Sequence, residues 1–358
     1  MNKKEFLIFV VVISLLLVLL VFAAPSLTTV TLSSSNDTDT YLENLSITTD
    51  QDDNSSVKLI YNWYRNGTSL AVLNMPFENN TANTSSTTKD YSGNGNNGTV
   101  TSATWDEDGG YGGNGAYSFD GDDDKIIISD TFGIGAGGEA TISTWVNLDS
   151  ESESGVFVKI GDGSTGFGIG VGLYGGNWDS NGNTLIMLFE GKRWINTLIN
   201  IGTGWHHVTM VIDSNGDPYA YIDGVQVFNQ TGQADASAPV GETGIGGYAN
   251  GRYVDVIIDD LLIYNFSLNE EKIAALYENR TDLIVSQETG INDTWNATVT
   301  PNDGSVDGAA RWSNTMTILE EPAEEEEAEE VPEFSDYAIA LLLLTVVGGF
   351  FAMRRKEM

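Results

Sequence analysis

The sequence has 358 residues, with 16 Lys and Arg against 51 Asp and Glu and a formal net charge of −35. This charge argues against nucleic acid as a partner, because phosphate binding needs clusters of basic side chains. The absence of cysteine excludes disulfides, thiolate metal sites and cysteine nucleophiles. The 40 glycines favour short strands joined by tight turns, so we predict an all-β fold.

Residues 1–24 are arranged like a secretory signal peptide. Lys3 and Lys4 precede an apolar run, residues 6–22, that ends at the small residue Ala23. A basic start, an apolar core and a small-residue end are typical of a segment that is cleaved on export, here after Ala23. The alternative is an uncleaved anchor helix, because the apolar run is long for the core of a signal.

The segment 27–74 carries a strand pattern at residues 59–67. Tyr61 and Trp63 are expected to face inward on this strand, and a turn follows it. The segment has too few strands to form a sandwich of about seven strands by itself.

The long segment 75–279 contains many strand patterns. Residues 141–148 alternate, and residues 166–173 alternate between glycine and apolar side chains, which predicts an apolar face opposite a face of bare backbone. Asp223 and Gly224 predict a hairpin turn. A single helix is predicted at residues 269–277, with Ile273, Leu276 and Tyr277 on one side.

Four motif blocks occur in this segment: residues 90–99, residues 116–121, the pair of motifs WHHVTMVID and YAYIDGV at 205–225, and residues 258–265. These blocks resemble LamG-like jelly-roll domains of the concanavalin A-like lectin/glucanase superfamily. The resemblance implies a concanavalin A-like jelly-roll sandwich over residues 75–279. It does not identify a ligand, because one fold supports many functions.

The segment 280–319 has a second strand pattern at residues 293–304. Trp295, Ala297 and Val299 are expected on one face of it. Together with residues 27–74, this segment resembles one Ig-like β-sandwich, split by insertion of the jelly roll, which requires the ends of the insert to lie close together. The alternatives are two separate half-modules, or disorder at both ends.

The chain ends in an acidic linker, residues 320–333, and an apolar tail, residues 334–358. Eight glutamates within residues 320–330 repel one another and stay solvated. Residues 337–353 would span roughly 25 Å as a helix, about enough to cross a membrane, and a basic cluster follows them.

The order of acidic spacer, short motif at residues 331–335, apolar helix and basic end resembles archaeal PEF/PGF-type C-terminal sorting tails. That resemblance implies cleavage at the motif by a transpeptidase and attachment of a lipid. A plain transmembrane anchor is the alternative.

Twelve Asn-x-Ser/Thr sequons support an extracellular location and make a glycoprotein the expectation. The candidate glycosylation sites are Asn36, Asn44, Asn54, Asn66, Asn79, Asn83, Asn97, Asn229, Asn265, Asn279, Asn292 and Asn296.

Catalysis is not expected from these motifs. A glycosidase of this superfamily carries paired carboxylates on one strand, as Glu-x-Asp-x-x-Glu or Glu-x-Asp-x-Glu, and no strand pattern of the jelly roll has that spacing. His206 and His207 are adjacent, so in a strand they point to opposite faces and cannot easily share a metal ion. We expect both to be structural.

Two kinds of binding residue are predicted. LamG-like domains often place a structural Ca²⁺ near the positions of Asp120, in the run 120–124, and Asp259, whose carboxylates suit a hard cation. The alternative is a solvated acidic turn. Sugar binding would use aromatic rings and polar groups beside turns, and the candidates are Trp178, Trp194, Tyr248, Asn250, Arg252 and Tyr253.

The sequence therefore predicts a non-catalytic cell-surface protein, anchored in a membrane through its terminal helices with the bulk of the chain outside. The LamG-like domain would mediate adhesion by recognising extracellular glycans or surface proteins, with Ca²⁺ as the candidate cofactor and no nucleic acid partner. One alternative is a purely structural envelope component, and another is a polysaccharide-active enzyme.

Overall fold

The computed structural model describes residues 3–4 and 24–322, apart from residues 53, 55, 79–82, 114, 162–165, 175–176, 179–182, 190–192, 232–237 and 249–250. The apolar cores of the predicted signal and tail, and most of the acidic linker, lie outside the described residues. Within the described part, no helix is long and apolar enough to cross a membrane. The chain divides into two compact units, Met1–Glu320 and Glu321–Met358, and the strands of the described residues belong to the first.

The strands confirm the predicted all-β fold. The first half contains β1 (Val30–Ser34), β2 (Leu45–Thr49), β3 (Lys58–Arg65), β4 (Thr68–Ser69), β5 (Leu73–Met75), β6 (Thr87–Thr88), β7 (Gly98–Thr101), β8 (Thr104–Asp106), β9 (Ala116–Asp120), β10 (Lys125–Ile128), β11 (Ala140–Leu148), β12 (Gly155–Ile160) and β13 (Phe167–Val171). The second half contains β14 (Leu173–Tyr174), β15 (Asn177–Trp178), β16 (Thr184–Phe189), β17 (Arg193–Asn200), β18 (Gly204–Ile212), β19 (Pro218–Ile222), β20 (Val225–Asn229), β21 (Thr243–Ile245), β22 (Asp255–Tyr264), β23 (Leu283–Ile284), β24 (Thr294–Asn302), β25 (Arg311–Trp312) and β26 (Met316–Thr317).

Strands β5–β22 form a central sandwich of two antiparallel sheets, as expected for a jelly roll. The front sheet has the order β17-β16-β13-β12-β21-β10-β7-β6, and the back sheet has the order β20-β19-β18-β11-β22-β9-β8, with β5 also paired to β22. Strands β14 and β15 pair separately. The inward faces of the two sheets enclose one apolar core, which is the arrangement that buries one face of each sheet.

Alternation along the strands builds this core as predicted. Phe167, Ile169 and Val171 of β13 are fully buried in it, and the glycines between them lie on the other face of the front sheet. From the back sheet, Ile142 and Val146 of β11 reach the same core. Since side chains alternate across a strand, a pattern of period two was sufficient to predict these inward positions.

The two flanks of the chain meet in two smaller sheets, which we call the base. One has the order β1-β2-β23, and the other has β25-β24-β3-β4 with β26 beside β24. The longest pairing joins β3 to β24, from Trp295 opposite Arg65 to Asn302 opposite Lys58. Its inward face carries Trp63 and Trp295, whose ring centroids lie 6.3 Å apart at 76°.

Helix α1 (Glu270–Tyr277) covers part of the back sheet near the base, and a short 3-10 helix, Ser286–Glu288, follows β23. Asn269 caps α1 by accepting a 2.8 Å hydrogen bond from the Lys272 amide, a typical N-cap interaction. Ile273 and Leu276 join an apolar cluster that also contains residues of the base and of β22. Tyr277, predicted on the same side, is instead 38% exposed and lies beside Trp145.

Candidate functional site

The outer face of the front sheet carries a row of directly opposed residues. In register across five strands, Gly244 lies opposite Lys159, Lys159 opposite Gly168, Gly168 opposite Leu188, and Leu188 opposite Trp194. Directly paired residues share one face of a sheet. The row therefore lies on the face opposite the core, with a glycine on either side of Lys159.

The two glycines of this row allow neighbouring groups to approach the sheet closely. A Cβ atom on Gly168 would lie 2.8 Å from Cη2 of Trp194. A Cβ atom on Gly244 would lie 2.3 Å from the Gly247 carbonyl oxygen and 2.7 Å from Cβ of Tyr248. The Trp194 ring therefore rests directly on the backbone of β13, and the turn that carries Tyr248 packs on the backbone of β21. We call the surface formed by Trp194, Tyr248 and Tyr253 the aromatic face.

A buried cation supports the aromatic face from beneath. Lys159 is completely buried, its ammonium group donates to the Gly161 carbonyl oxygen, and Nζ lies 4.9 Å from the ring centroid of Tyr248. A cation over an aromatic face is attracted by the negative potential of the ring. Tyr248 is itself buried, whereas Trp194 is half-buried, so Trp194 is the more accessible of the two rings.

Tyr253 and Arg252 extend the aromatic face beyond the row. Tyr253 is half-buried, and the ammonium of Lys125 lies 3.2 Å from its hydroxyl and 5.2 Å from its ring centroid. Arg252 is exposed and has a positive φ of 68°. Its carbonyl oxygen accepts a 3.0 Å hydrogen bond from the Val156 amide, which ties this turn to the front sheet.

Four of the six predicted sugar-binding residues therefore belong to one region, namely Trp194, Tyr248, Arg252 and Tyr253. Asn250 and the side chain of Trp178 lie outside the described residues, although Trp178 is placed in β15 opposite Leu173. Sequence reasoning missed Lys125 and Lys159. The alternation of glycine at residues 166–173 predicted a face of bare backbone. It could not predict the strand register that places Lys159 between two glycines.

An acidic loop adjoins the aromatic face. Carboxylate oxygens of Asp120, Asp123 and Asp124 all lie within 4.8 Å of one another. Two hydrogen bonds shape the turn, from the Asp122 amide to Asp120 Oδ1 at 2.9 Å and from the Asp120 amide to Asp124 Oδ2 at 3.0 Å. Burial raises the pKa of Asp124, and the charges of the neighbouring aspartates raise it further.

The structure does not bring Asp120 and Asp259 together. Asp120 pairs with Asp255, and Asp259 lies four residues further along β22, roughly 13 Å away at about 3.3 Å per residue. Asp259 is fully buried and accepts a 2.9 Å hydrogen bond from the Tyr111 amide. Burial raises the pKa of Asp259 well above its usual value. Asp123 and Asp124, not Asp259, are the carboxylates beside Asp120.

The two histidines have different surroundings. His207 is buried, its Nε2 lies 2.9 Å from the Ser143 hydroxyl, and burial lowers its pKa to about 4. His206 is partly exposed, and its Nδ1 lies 2.9 Å from Oδ2 of Asp223 in the hairpin turn. The two rings share no partner among the described residues.

The candidate glycosylation sites differ in accessibility. The exposed ones are Asn36, Asn44, Asn54, Asn66, Asn97, Asn229, Asn265, Asn279 and Asn292. Asn296 is half-buried, and Asn79 lies outside the described residues. Asn83 is only 1% exposed, and its Oδ1 accepts a hydrogen bond from the Thr88 hydroxyl, so a glycan on Asn83 would require this side chain to leave its position.

Comparison with known families agrees with this architecture. Residues 120–274 match the family model described as the concanavalin A-like lectin/glucanases superfamily. This segment is a concanavalin A-like domain. It lies inside the range 75–279 for which the sequence motifs predicted such a fold, and it contains the acidic loop and the aromatic face. No curated protein matches the sequence.

Solved structures of low sequence identity are also similar. Domain 4 of the extracellular arabinanase AbnA from Geobacillus stearothermophilus, in complex with arabinotriose, is 23% identical with a TM-score of 0.45, and the match covers 58% of this chain and 98% of that one. The binding domain of Paraclostridial Mosquitocidal Protein 1 is 18% identical with a TM-score of 0.44, covering 58% and 52%. The binding domain of Botulinum neurotoxin serotype D is 16% identical with a TM-score of 0.44, covering 59% and 51%. This chain thus spans about half the length of the two toxin fragments.

Proposed function

We propose that this protein is a non-catalytic cell-surface protein whose concanavalin A-like domain binds carbohydrate at the aromatic face. The observation that carries the proposal is the glycine row of the front sheet, on which the Trp194 ring and the turn that carries Tyr248 pack directly against backbone. A sugar ring presents apolar C–H groups that stack on aromatic side chains, while a few polar groups fix its hydroxyls.

The accessible groups of the aromatic face suit this role. Trp194 and Tyr253 are half-buried and Arg252 is exposed, so each can contact a ligand from solvent. Tyr248 and Lys159 are buried beneath them and hold the surface in place. A rigid support of this kind lowers the entropy lost on binding, because the contact residues are already ordered.

The proposal includes the predicted placement at a membrane. The apolar terminal segments, residues 6–22 and 337–353, would export and hold the chain, and the acidic linker would separate the folded part from the surface. The base would be the split Ig-like sandwich formed by residues 27–74 and 280–319. Strand β3 from the first flank and β24 from the second flank are paired along eight residues, and that pairing supports this domain assignment.

Calcium is proposed as the ligand of the acidic loop, with Asp120, Asp123 and Asp124 as its carboxylate ligands. The donor set fits a hard cation, since three carboxylates converge within 4.8 Å and calcium takes six to eight oxygen ligands, including backbone carbonyls and water. Burial and the repulsion between these aspartates raise the pKa of Asp124, and bound calcium would relieve that repulsion.

A glycan array tests the carbohydrate proposal. The full-length protein should bind a subset of glycans, and Trp194→Ala should weaken that binding by at least about tenfold, since truncating a tryptophan that anchors a ligand typically costs more than about 1 kcal/mol. Trp312→Ala is the matched control, because Trp312 is 54% exposed on the base. Binding that survives Trp194→Ala, or no binding to any glycan, would contradict the proposal and favour a structural envelope component.

Calcium dependence is measured on the same array. If calcium orders the acidic loop, chelation should reduce glycan binding, and Asp124→Asn should reproduce the loss while Asp303→Asn, on a turn of the base, should not. Equal binding with and without chelator would remove calcium from the proposed function. Release of reducing sugar from envelope polysaccharide by the wild-type protein would contradict the non-catalytic assignment.

A further inference from the structure

A cavity of about 350 Å³ lies between the base and the back sheet. Strand β3 of the base forms one wall, β22 and helix α1 form the opposite wall, and the chain after the helix closes one side. This volume lies near the lower limit of ligand pockets. The cavity is separate from the aromatic face, which belongs to the outer side of the front sheet.

Two phenol groups lining the cavity have no hydrogen-bond partner among the described residues. Tyr264 is 4% exposed, and neither its hydroxyl nor that of Tyr61 bonds to any part of the chain that the structure describes. A phenol hydroxyl can both donate and accept a hydrogen bond. The Tyr264 hydroxyl is therefore available to a polar molecule, water or a ligand, in the space in front of it.

A buried lysine and a carboxylate add further hydrogen-bonding capacity to the same cavity. Lys272 is 2% exposed, and among the described residues its ammonium group donates only to the Leu283 carbonyl oxygen, which leaves donors available. Burial lowers the pKa of Lys272 to about 8, so the group is still largely charged at pH 7. The carboxylate of Asp260 accepts no hydrogen bond from the described part of the chain.

The backbone places Asp260 at this position at some cost. Asp260 has a φ of 47°, in the left-handed region that non-glycine residues seldom adopt. It lies where β22 changes register against β11, between the pairs Ser143–Leu262 and Trp145–Asp259. A bulge of this kind redirects a side chain, and strained residues are concentrated at functional sites.

The cavity presents charges of both signs. Lys58 is paired with Glu78 at 2.8 Å and also faces the charge of Asp260. Asp282 is paired with Arg280 at 2.8 Å, and Lys272 faces the charge of Glu288. An anionic ligand would meet the carboxylate of Asp260, and a cationic ligand would meet the ammonium groups of Lys58 and Lys272, so either would be disfavoured in a desolvated site. A neutral ligand would use the spare donors and acceptors without that penalty.

We propose that this cavity binds a neutral polyhydroxylated ligand of mono- or disaccharide size. Its hydroxyls would donate to Asp260 and accept from Lys272 and Tyr264. The apolar side chains of Leu262, Leu276 and Trp63 line the same space and would contact its C–H groups. Because the walls come from the base and from the concanavalin A-like domain, the ligand would join the two and stabilise the folded chain.

Titration with neutral sugars tests this site. The full-length protein is titrated calorimetrically with glucose, galactose, mannose, N-acetylglucosamine, maltose and lactose, and its unfolding temperature is recorded with each sugar. We expect at least one of them to bind and to raise the unfolding temperature. Tyr264→Phe should weaken that binding by about tenfold, because it removes one hydrogen bond, and should leave the unliganded protein folded, because the hydroxyl has no partner among the described residues.

Two control variants show whether the binding belongs to this cavity. Tyr41→Phe, which removes an equivalent hydroxyl from a residue that does not line the cavity, should bind like the wild type. Trp194→Ala should also leave this binding unchanged, so failure of the aromatic-face proposal and failure of this one are distinguishable. The proposal is overturned if no sugar binds, if Tyr264→Phe binds as the wild type does, or if Trp194→Ala abolishes the binding.

Discussion

The two outer faces of the central sandwich are covered in different ways. On the front sheet, the Trp194 ring and the turn that carries Tyr248 pack on glycine backbone, and both belong to the same domain as the sheet. The back sheet is covered by helix α1 and by the base, whose residues come from both ends of the folded unit. The face that the base covers is largely withdrawn from solvent, whereas the face that carries a few aromatic rings is accessible to a ligand from solvent.

This contrast predicts that substitutions at the base reduce stability and that substitutions on the aromatic face mainly reduce binding. Four measurements test this difference between stability at the base and binding at the aromatic face.

The largest effect is expected from Trp295→Ala in the base. Trp295 is fully buried, and replacing a buried tryptophan with alanine costs about 3–5 kcal/mol. Because the base and the back sheet share an apolar cluster, chemical unfolding should show one cooperative transition shifted to lower denaturant. Trp312→Ala, at an exposed site, should change the free energy of unfolding by less than about 0.5 kcal/mol. Two separate transitions would mean that the base folds independently.

The next effect concerns His207 beneath helix α1. Burial lowers its pKa to about 4, so between pH 6.5 and pH 4 the unfolded chain binds a proton that the folded chain does not. Stability should therefore fall as the pH decreases through this range, by on the order of 3 kcal/mol at pH 4. His207→Gln should lack this component, and the difference between the two unfolding curves measures it. If the unfolding free energies of the wild type and His207→Gln depend on pH in the same way, His207 binds its proton as readily in the folded protein as in the unfolded chain, and the prediction is wrong.

A smaller effect is expected from Gly168→Ala on the aromatic face. The added Cβ would lie 2.8 Å from Trp194 and 2.9 Å from the Val158 carbonyl oxygen, and such overpacking costs about 1–3 kcal/mol. It should also displace Trp194 and weaken glycan binding more than it lowers stability. Gly135→Ala, where no atom lies within 4 Å of the added Cβ, is the matched control and should be neutral. If Gly168→Ala binds glycans as the wild type does, the glycine row is not required for ligand binding at the aromatic face.

The smallest effect is expected from Asn269→Ala at the start of helix α1. The substitution removes the hydrogen bond from the Lys272 amide to the Asn269 side chain, and loss of an N-cap typically costs about 1 kcal/mol. Thermal unfolding should shift downward while glycan binding at the aromatic face stays the same. A change in glycan affinity would indicate that the two faces of the sandwich are coupled.

Much of the candidate site was within reach of sequence reasoning. Alternation of glycine with Phe167, Ile169 and Val171 predicted one apolar and one bare face, and the core confirms it. Trp194, Tyr248, Arg252 and Tyr253 were selected as aromatic or polar residues beside turns, and they lie in one region. Lys159 was missed because its role depends on which residues stand opposite it in β13 and β21.

The acidic residues illustrate the limit of that reasoning. Asp120 and Asp259 were grouped from a family resemblance, but Asp120 lies beside Asp123 and Asp124, and Asp259 is buried against the Tyr111 amide. Position along a strand decides which carboxylates can share an ion. That position follows from register, which the composition of either segment does not reveal.

Local pattern was enough to establish the all-β class, the inward faces of the strands and the helix that follows Asn269, because alternation and capping involve residues only a few positions apart. The tertiary structure alone decided that Lys58 stands opposite Asn302, that Lys159 stands between two glycines, and that a cavity separates β3 from β22. These features join residues far apart in the chain. Their positions are fixed by strand register and by packing between sheets, which depend on the whole fold.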